Sequence, residues 1–339
     1  MMNYYTLQDQ ADGTKKLVMQ AGDIPTPTQS QVLVKVAAVS LNFRDYNIVR
    51  GRYPDPLPSS FIPVSDGAGE VVAAGEDVTH FAVGQRVASH FLPKWRDGEA
   101  DYETLGVTMG GPLQGMLSQY ALVDEDALIE LPDYLSFAEA ATLPIAAVTA
   151  WNAIRSVDTN PSRTIVVQGT GGVALFAVQF AKLHGARVIV LSSSTEKAER
   201  VKQLGADSVI NYKTTPEWPQ EILALTNGRG ADAVLDVAGM SINQSLRALR
   251  PGGIVCAIGL LEGHTPELNI LPLLQHQKQI KGITIGSHMM FTDMLRAMQE
   301  HQIHPIIDTA FAFENAAEAF DYLASGQQFG KVVVSVEAA

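Results

Sequence analysis

A chain of 339 residues is too long for one ordinary hydrophobic core, so about two domains are expected. Its hydrophobic content of 46% and charged content of 18% exclude a disordered chain. A net charge of −12, from 36 acidic against 24 basic residues, argues against non-specific binding to nucleic acid or to an anionic membrane surface. The apolar runs stay short of a membrane span of ~20 residues. The first residues lack the cationic and apolar blocks of a signal peptide. One cysteine, Cys256, excludes an internal disulfide, which makes the cytoplasm the expected compartment.

Up to residue 130 the chain reads as short β-rich runs at 31–41, 67–75, 85–91 and 119–124, punctuated by Gly, Pro and Asp. This predicts an antiparallel, partly barrel-like domain. Residues 136–155 carry a helical pattern, opened by Ser136 and Glu139 at the spacing of a capping box. From 164 the chain alternates. Strands are expected at 164–168, 186–192, 206–212, 231–239, 254–259 and 281–287, with helices at 172–185, 195–205, 216–228 and 241–253 between the first five. Six strands so connected predict an α/β doubly wound parallel sheet. Cys256 falls in the apolar strand GIVCAIG and reads as inert core. After Gly286 the pattern changes, and the β-run GKVVVSVEA at 330–338 most simply rejoins the first domain. The expected domains are therefore 1–130 with 287–339, and 131–286.

The turn after the first strand of the sheet spells Gly169, Thr170, Gly171, Gly172, Val173, Ala174, which fits G-x-G-x-x-G/A. The first glycine permits the tight turn, the second lets backbone approach a pyrophosphate, and the small last position lets helix pack on strand. Helix N-terminal N–H groups then point at the phosphates. At the end of the second strand, dinucleotide sites that take NAD place an acidic residue on the ribose hydroxyls. Here the chain reads Ser192, Ser193, Ser194, Thr195, with no carboxylate before Glu196. Serine hydroxyls and Lys197 suit a 2′-phosphate, which points to NADPH. Ser193 and Glu196 also have the spacing of a capping box for the following helix, and the two readings are compatible.

These marks together resemble the medium-chain dehydrogenase/reductase superfamily. The resemblance runs from about residue 16 to residue 336 and rests on LNFRDYNIVRGRYP (41–54), PVSDGAGEVVAAGEDV (63–78), AATLPIAAVTAW (140–151), the glycine turn, LGADSVINY (204–212) and GKVVV (330–334). It implies a Rossmann sheet with a GroES-like β-rich catalytic domain, and hydride transfer from a nicotinamide cofactor in a cleft between them. It also implies Asn42, Thr149, Tyr212, Gly259, Leu260, Gly286, Phe329 and Lys331 as cofactor-binding positions, beside the turn residues 169–173 and Ser193, Ser194 and Lys197. Relatives are commonly homodimers paired through the dinucleotide sheet.

Departures from the family's zinc enzymes shape the expected chemistry. The metal-binding positions read Asn42, Ser65 and the apolar stretch 145–147, and the loop 91–111, which carries four cysteines in those relatives, has none. Zinc needs three or four donors at close quarters, so no metal is expected. His301 and His304 have the spacing of one helix face but read as solvated. The zinc-free branch that the chain resembles reduces quinones and enoyl compounds, and it implies a catalytic tyrosine at Tyr53, whose phenol can donate to an incipient enolate. The alternative is that Tyr53 is a packing residue of its turn. Asn42 is either a second site residue or a strand-end residue satisfying local backbone, Asp45 reads as structural, Arg44 as a charge for the site or a solvated side chain, and Trp95 as a pocket wall or a loop anchor. The expected function is a zinc-independent, NADPH-dependent reductase of quinones or α,β-unsaturated carbonyl compounds. A metal-free alcohol or carbonyl reductase and a non-catalytic NADPH-binding protein are the alternatives.

Overall fold

The computed structural model describes residues 1–53, 57–263 and 265–336. Pro54, the last residue of the Gly-x-Tyr-Pro turn, and the end of the C-terminal β-run from 337 onward lie outside the described residues. The chain divides into two units, one of Met1–Val148 with Gly286–Ala339 and one of Thr149–Ile285.

The first unit opens with an antiparallel hairpin of β1 (Met2–Asp9) and β2 (Lys15–Gly22), which pattern reading passed over. Then follow β3 (Gln31–Leu41), β4 (Asp66–Ala74), β5 (Arg86–Ser89), β6 (Tyr120–Asp124) and β7 (Leu128–Glu130). The long β3 pairs antiparallel with both β4 and β6. Its run of valines is therefore buried almost throughout, in a core with Val71, Val87, Met116, Leu117 and Leu128. This burial on both faces explains why β3 reads as a continuous apolar run rather than a clean alternation.

The second unit holds β8 (Thr164–Gln168), β9 (Arg187–Ser192), β10 (Ser208–Asn211), β11 (Ala231–Asp236), β12 (Leu249–Ala257) and β13 (Gln279–Gly282). All pairings are parallel, in the order β10-β9-β8-β11-β12-β13. This is the doubly wound order, in which ligands bind at the carboxyl ends of the strands where the order reverses, here β8 and β11. The chain then returns to the first unit through β14 (Ile307–Ala312) and β15 (Lys331–Ser335), a parallel pair bridged by the helix Ala316–Ser325. β15 runs antiparallel to β3, with Val332 opposite Leu41. This register brings the C-terminal GKVVV run alongside the start of the LNFRD segment.

Three elements differ from their sequence expectations. The helix expected over 136–155 is Phe137–Ala140, a wide turn over Leu143–Ala147, then Val148–Ser156. Pro144 has no N–H to give the ladder, and the N–H of Ile145 instead donates to Asp66 Oδ2 at 3.0 Å. The helix expected over 241–253 stops at Ala248 and β12 begins at Leu249, because Pro251 biases its predecessor toward extended backbone. The last strand is Gln279–Gly282 rather than 281–287. It pairs Ile254–Ala257 opposite Gln279–Gly282, and beyond Ala257 the neighbouring strand offers no further partner. Among the described residues no helix is long and apolar enough to cross a membrane.

Candidate active site

In the first unit, charged groups that a hydrophobic core would normally exclude gather around the end of β3. Asn42 caps the helix Phe43–Val49, and its backbone N–H donates to Asp45 Oδ2 at 2.8 Å, the carboxylate half of a capping box. Lys331, at the start of β15, donates from Nζ to Leu41 O and to Asn42 Oδ1, both at 2.7 Å. Asp66, at the start of β4, accepts from Ser65 Oγ at 2.7 Å and from the Ile145 N–H. Asn42, Asp45, Ser65, Asp66 and Lys331 are all buried. Burial pushes the Asp66 carboxyl up and the Lys331 ammonium down, and each charge opposes the shift of the other. Burial pushes Asp45 up to about 6, against the pull of Arg44 and with the Asp66 charge adding to the rise. Asn42 Nδ2 is buried and makes no hydrogen bond of ordinary geometry among the described residues, although the Asn42 amide lies near enough to the Asp66 carboxyl to help hold its pKa down.

Beside this cluster stands Tyr53, half-buried, its ring against Leu7, Ile48 and Phe61. Its hydroxyl accepts from Arg44 Nε at 3.2 Å. Arg44 is not a solvated side chain: it is 11% exposed, and its amino groups donate to Gly110 O, Gly111 O and Thr108 Oγ1. Trp95 is a loop anchor, buried, with Nε1 donating to Gly98 O at 3.1 Å and its carbonyl accepting from the His288 N–H. His90, which sequence reasoning missed, is fully buried with its ring edge-on to His288, and burial pushes it down to about 3. His301 and His304 do not share a helix face. The helix ends at His301, and His304 Nδ1 meets Glu139 Oε1 at 2.6 Å, the same carboxylate that caps Ser136. Among the described residues no three His, Cys, Asp or Glu side chains are placed to hold a metal. Gly286 and Phe329 also belong to this unit. A Cβ at Gly286 would meet Val148 at 2.8 Å, and Phe329 is buried.

In the second unit, Gly169 has φ +81, a conformation that favours glycine, and its N–H donates to Leu191 O. Gly171 is the N-cap of the 12-residue helix Gly172–Leu183, and a Cβ there would meet no protein atom within 4 Å. The first N–H groups of this helix, at Gly172, Val173 and Ala174, have no carbonyl one turn earlier to bond, and the space before them is open. That is a cradle for a phosphate. Thr170 and Thr149 are buried. Asp236, at the end of β11, is a further residue the sequence did not announce. Its carboxylate accepts from Gln168 Nε2, Ser241 Oγ, Ser245 Oγ and the N–H groups of Ala238 and Gly239. This ties the ends of β8 and β11 together beside the glycine turn. Gly259 packs against the Val237 carbonyl, where a Cβ would come to 2.4 Å, and Leu260 next to it is exposed.

At the end of β9 the serines divide their work. Ser192 Oγ donates to Ser194 O, and Ser194 Oγ accepts the Lys197 N–H at 3.3 Å, so Ser194 rather than Ser193 caps the helix Thr195–Gln203. Ser193 is left half-exposed at the apex of the turn. Tyr212 donates its N–H to Ser192 O and is 38% exposed beside it. The structure thus brings Ser193, Ser194, Lys197 and Tyr212 to one strand-end corner. No carboxylate shares that corner before the exposed Glu196.

A β-rich unit with a buried ionic cluster, joined in one chain to a doubly wound sheet with an open glycine turn, defines a two-domain dinucleotide-dependent oxidoreductase. Two families match: alcohol dehydrogenase GroES-like domain over residues 28–133, and zinc-binding dehydrogenase over residues 172–300. A zinc-type alcohol dehydrogenase-like protein of Schizosaccharomyces pombe is 40% identical, over 98% of this chain and 99% of its own. A crystal structure from Sinorhizobium meliloti 1021, provisionally named an alcohol dehydrogenase, is 38% identical with a TM-score of 0.91 and covers 99% of this chain and 100% of its own. A quinone oxidoreductase of Pseudomonas syringae pv. tomato DC3000 is 27% identical with a TM-score of 0.83, over 99% and 100% of the two chains. The chain belongs to the medium-chain dehydrogenase/reductase superfamily, whose members are nicotinamide-dependent oxidoreductases acting on small molecules.

Proposed function

We propose that this protein is a zinc-independent, NADPH-dependent reductase of quinones or α,β-unsaturated carbonyl compounds. The observation that carries the reading is the state of the donor set around Asp66. Asn42 Oδ1 is taken by an ammonium, Ser65 donates its proton to Asp66, both Asp66 oxygens are engaged, and residues 145–147 are apolar side chains in a wide turn. These groups do not fit zinc, which wants three or four free Cys, His or carboxylate donors in a tetrahedron. Without a Lewis acid, a substrate carbonyl must be polarised by hydrogen-bond donors, which favours compounds that are already electrophilic.

The residues do fit NADPH. Residues 169–173 would receive the pyrophosphate, and Ser193, Ser194, Lys197 and Tyr212 the 2′-phosphate. The family resemblance gives the remaining cofactor contacts to Asn42, Thr149, Gly259, Leu260, Gly286, Phe329 and Lys331. Bound NADPH supplies a hydride. Tyr53 holds a proton at its hydroxyl and would donate it to the substrate oxygen, and Asn42, fixed by Lys331, would orient the reacting faces. A second reading, reduction at C=O, is favoured by the alcohol dehydrogenase names of several relatives. We further read the catalytic domain as 1–130 with 287–339 and the dinucleotide domain as 131–286, and we place the protein in the cytoplasm, where one buried cysteine needs no partner. The exposed edge strand β13 supports a homodimer, and light scattering that gives a monomer mass would remove it.

The test is NADPH oxidation followed across quinones, enones, enoyl thioesters and aldehydes, with the products identified. Reduction of quinones or of the C=C bond of enones supports the proposal. Turnover of aldehydes alone selects the second reading, and tight NADPH binding without turnover of any substrate makes the chain a non-catalytic binder.

A further inference from the structure

Arg44 sits one residue before Asp45 on a short helix, yet its guanidinium does not pair closely with that carboxylate, which lies 4.0 Å away. It is fixed elsewhere. One amino group donates to Gly110 O at 3.2 Å, and the other to Thr108 Oγ1 at 3.0 Å and to Gly111 O. Two rings also pack near it, the central carbon lying 4.7 Å from the Tyr53 ring centre and 5.0 Å from that of Phe91. Three acceptors in one turn and two rings leave a planar fork no freedom to rotate. Its Nε–H points at the Tyr53 hydroxyl at 3.2 Å.

This contact has a direction. Arginine carries donors and no acceptor, so the phenol oxygen must accept, and the phenolic proton cannot return to the guanidinium. Among the described residues no acceptor takes that proton. We propose that Arg44 is the positioning residue for the reaction: by occupying a lone pair of the Tyr53 hydroxyl, it holds the phenolic O–H turned outward, where it can donate to the oxygen of an enone substrate. The same guanidinium fastens the 108–111 turn, so the turn and the tyrosine are set by one group. This inference rests on the reading of Tyr53 as the proton donor.

A double-mutant cycle in the full-length protein at saturating NADPH separates the two claims. Tyr53→Phe should lower the enone kcat by roughly 100-fold or more. Arg44→Met should lower the enone kcat by roughly 10-fold, the lower range for loss of a charge-assisted hydrogen bond, with a smaller effect on quinones and an unchanged KM for NADPH. The double variant should turn over enones no more slowly than Tyr53→Phe alone, because Arg44 acts only through that hydroxyl, and Arg44→Lys should recover part of the loss. If Tyr53→Phe reduces enones at the wild-type rate, the proton-donor reading fails and this proposal falls with it. If Tyr53→Phe is slow but Arg44→Met is unchanged, or the two losses multiply in the double variant, Arg44 is structural only. Should Arg44→Met fail to fold by circular dichroism, the Arg44→Gln cycle, which removes the fixed Nε–H while keeping a polar side chain in the turn, gives the same comparison.

Discussion

Lys197 lies one helical turn beyond the apex of the Ser192–Ser194 turn, on a helix whose first N–H groups already face that corner. An ammonium there adds charge to serine hydroxyls and a tyrosine, and a charge-assisted contact to phosphate is worth about 1.5–3 kcal/mol, or roughly 10-fold to 150-fold. Lys197→Ala should therefore raise KM for NADPH by that factor while leaving KM for NADH nearly unchanged. An equal loss with both cofactors would reduce Lys197 to a helix residue, and a wild-type preference for NADH would overturn the whole corner. Ser193, Ser194 and Lys197 could be read together because they lie within one β-turn-α segment, whereas Tyr212 joins them from the end of the next strand. The ionic cluster was legible only in part. Asn42 and Ser65 could be noted as departures from a metal-binding pattern, but the Lys331 contact joins residues 289 positions apart, and no local periodicity reports such a pair. Arg44 was misread for the same reason, since its acceptors belong to a turn more than 60 residues on.

At the scale of elements, the amino ends of β8, β11 and β12 are held by one carboxylate. Asp232, nearly buried, accepts from Arg163, Arg229 and Arg250 and from the Thr164 N–H at 2.9 Å. Its burial alone would raise its pKa, but the three arginines and the backbone N–H outweigh it and hold the carboxyl well below the usual range. A depressed folded-state pKa means that the unfolded chain binds the proton more readily. The stabilisation is therefore complete above the unfolded value of ~3.9 and is lost as pH falls toward the folded value. Asp232→Asn should lower the urea midpoint at pH 7, by an amount equivalent to about 3 kcal/mol. The gap from wild type should narrow below about pH 4, and a gap independent of pH would show that packing rather than charge holds the three strands. The strands themselves were legible, because apolar runs flanked by glycine recur with helices between them. The breaks were legible only in part: Pro144 and Pro251 stand in the sequence, but the wide turn at Leu143–Ala147 also carries the Ile145 N–H to Asp66, a contact made across 79 residues.

The whole molecule sets its own test of metal chemistry, because Asn42 and Ser65, the positions that the family resemblance assigns to metal ligands, lie among buried charges of the chain's own. Lys331 brings an amine into one buried cluster with Asp45 and Asp66; burial pushes its pKa down and the two carboxylates pull it back up, and the three come from the C-terminal strand β15, the helix after β3 and the start of β4. A divalent ion at ~4 Å from the protonated amine would meet a repulsion on the order of 8 kcal/mol at an effective dielectric of ~20, about twice the value for a pair of unit charges. Moving the lysine aside to admit the ion would strand Asn42 Oδ1 and Leu41 O without their donor. The purified protein should accordingly carry far less than one zinc per chain by elemental analysis, and its NADPH-dependent turnover should survive prolonged chelation. Added zinc should not raise the melting temperature, because an ion that binds only the folded state would have to stabilise it. About one zinc per chain, with activity lost on chelation and restored by the metal, would mean that Lys331 moves aside and that the buried cluster is a metal site after all.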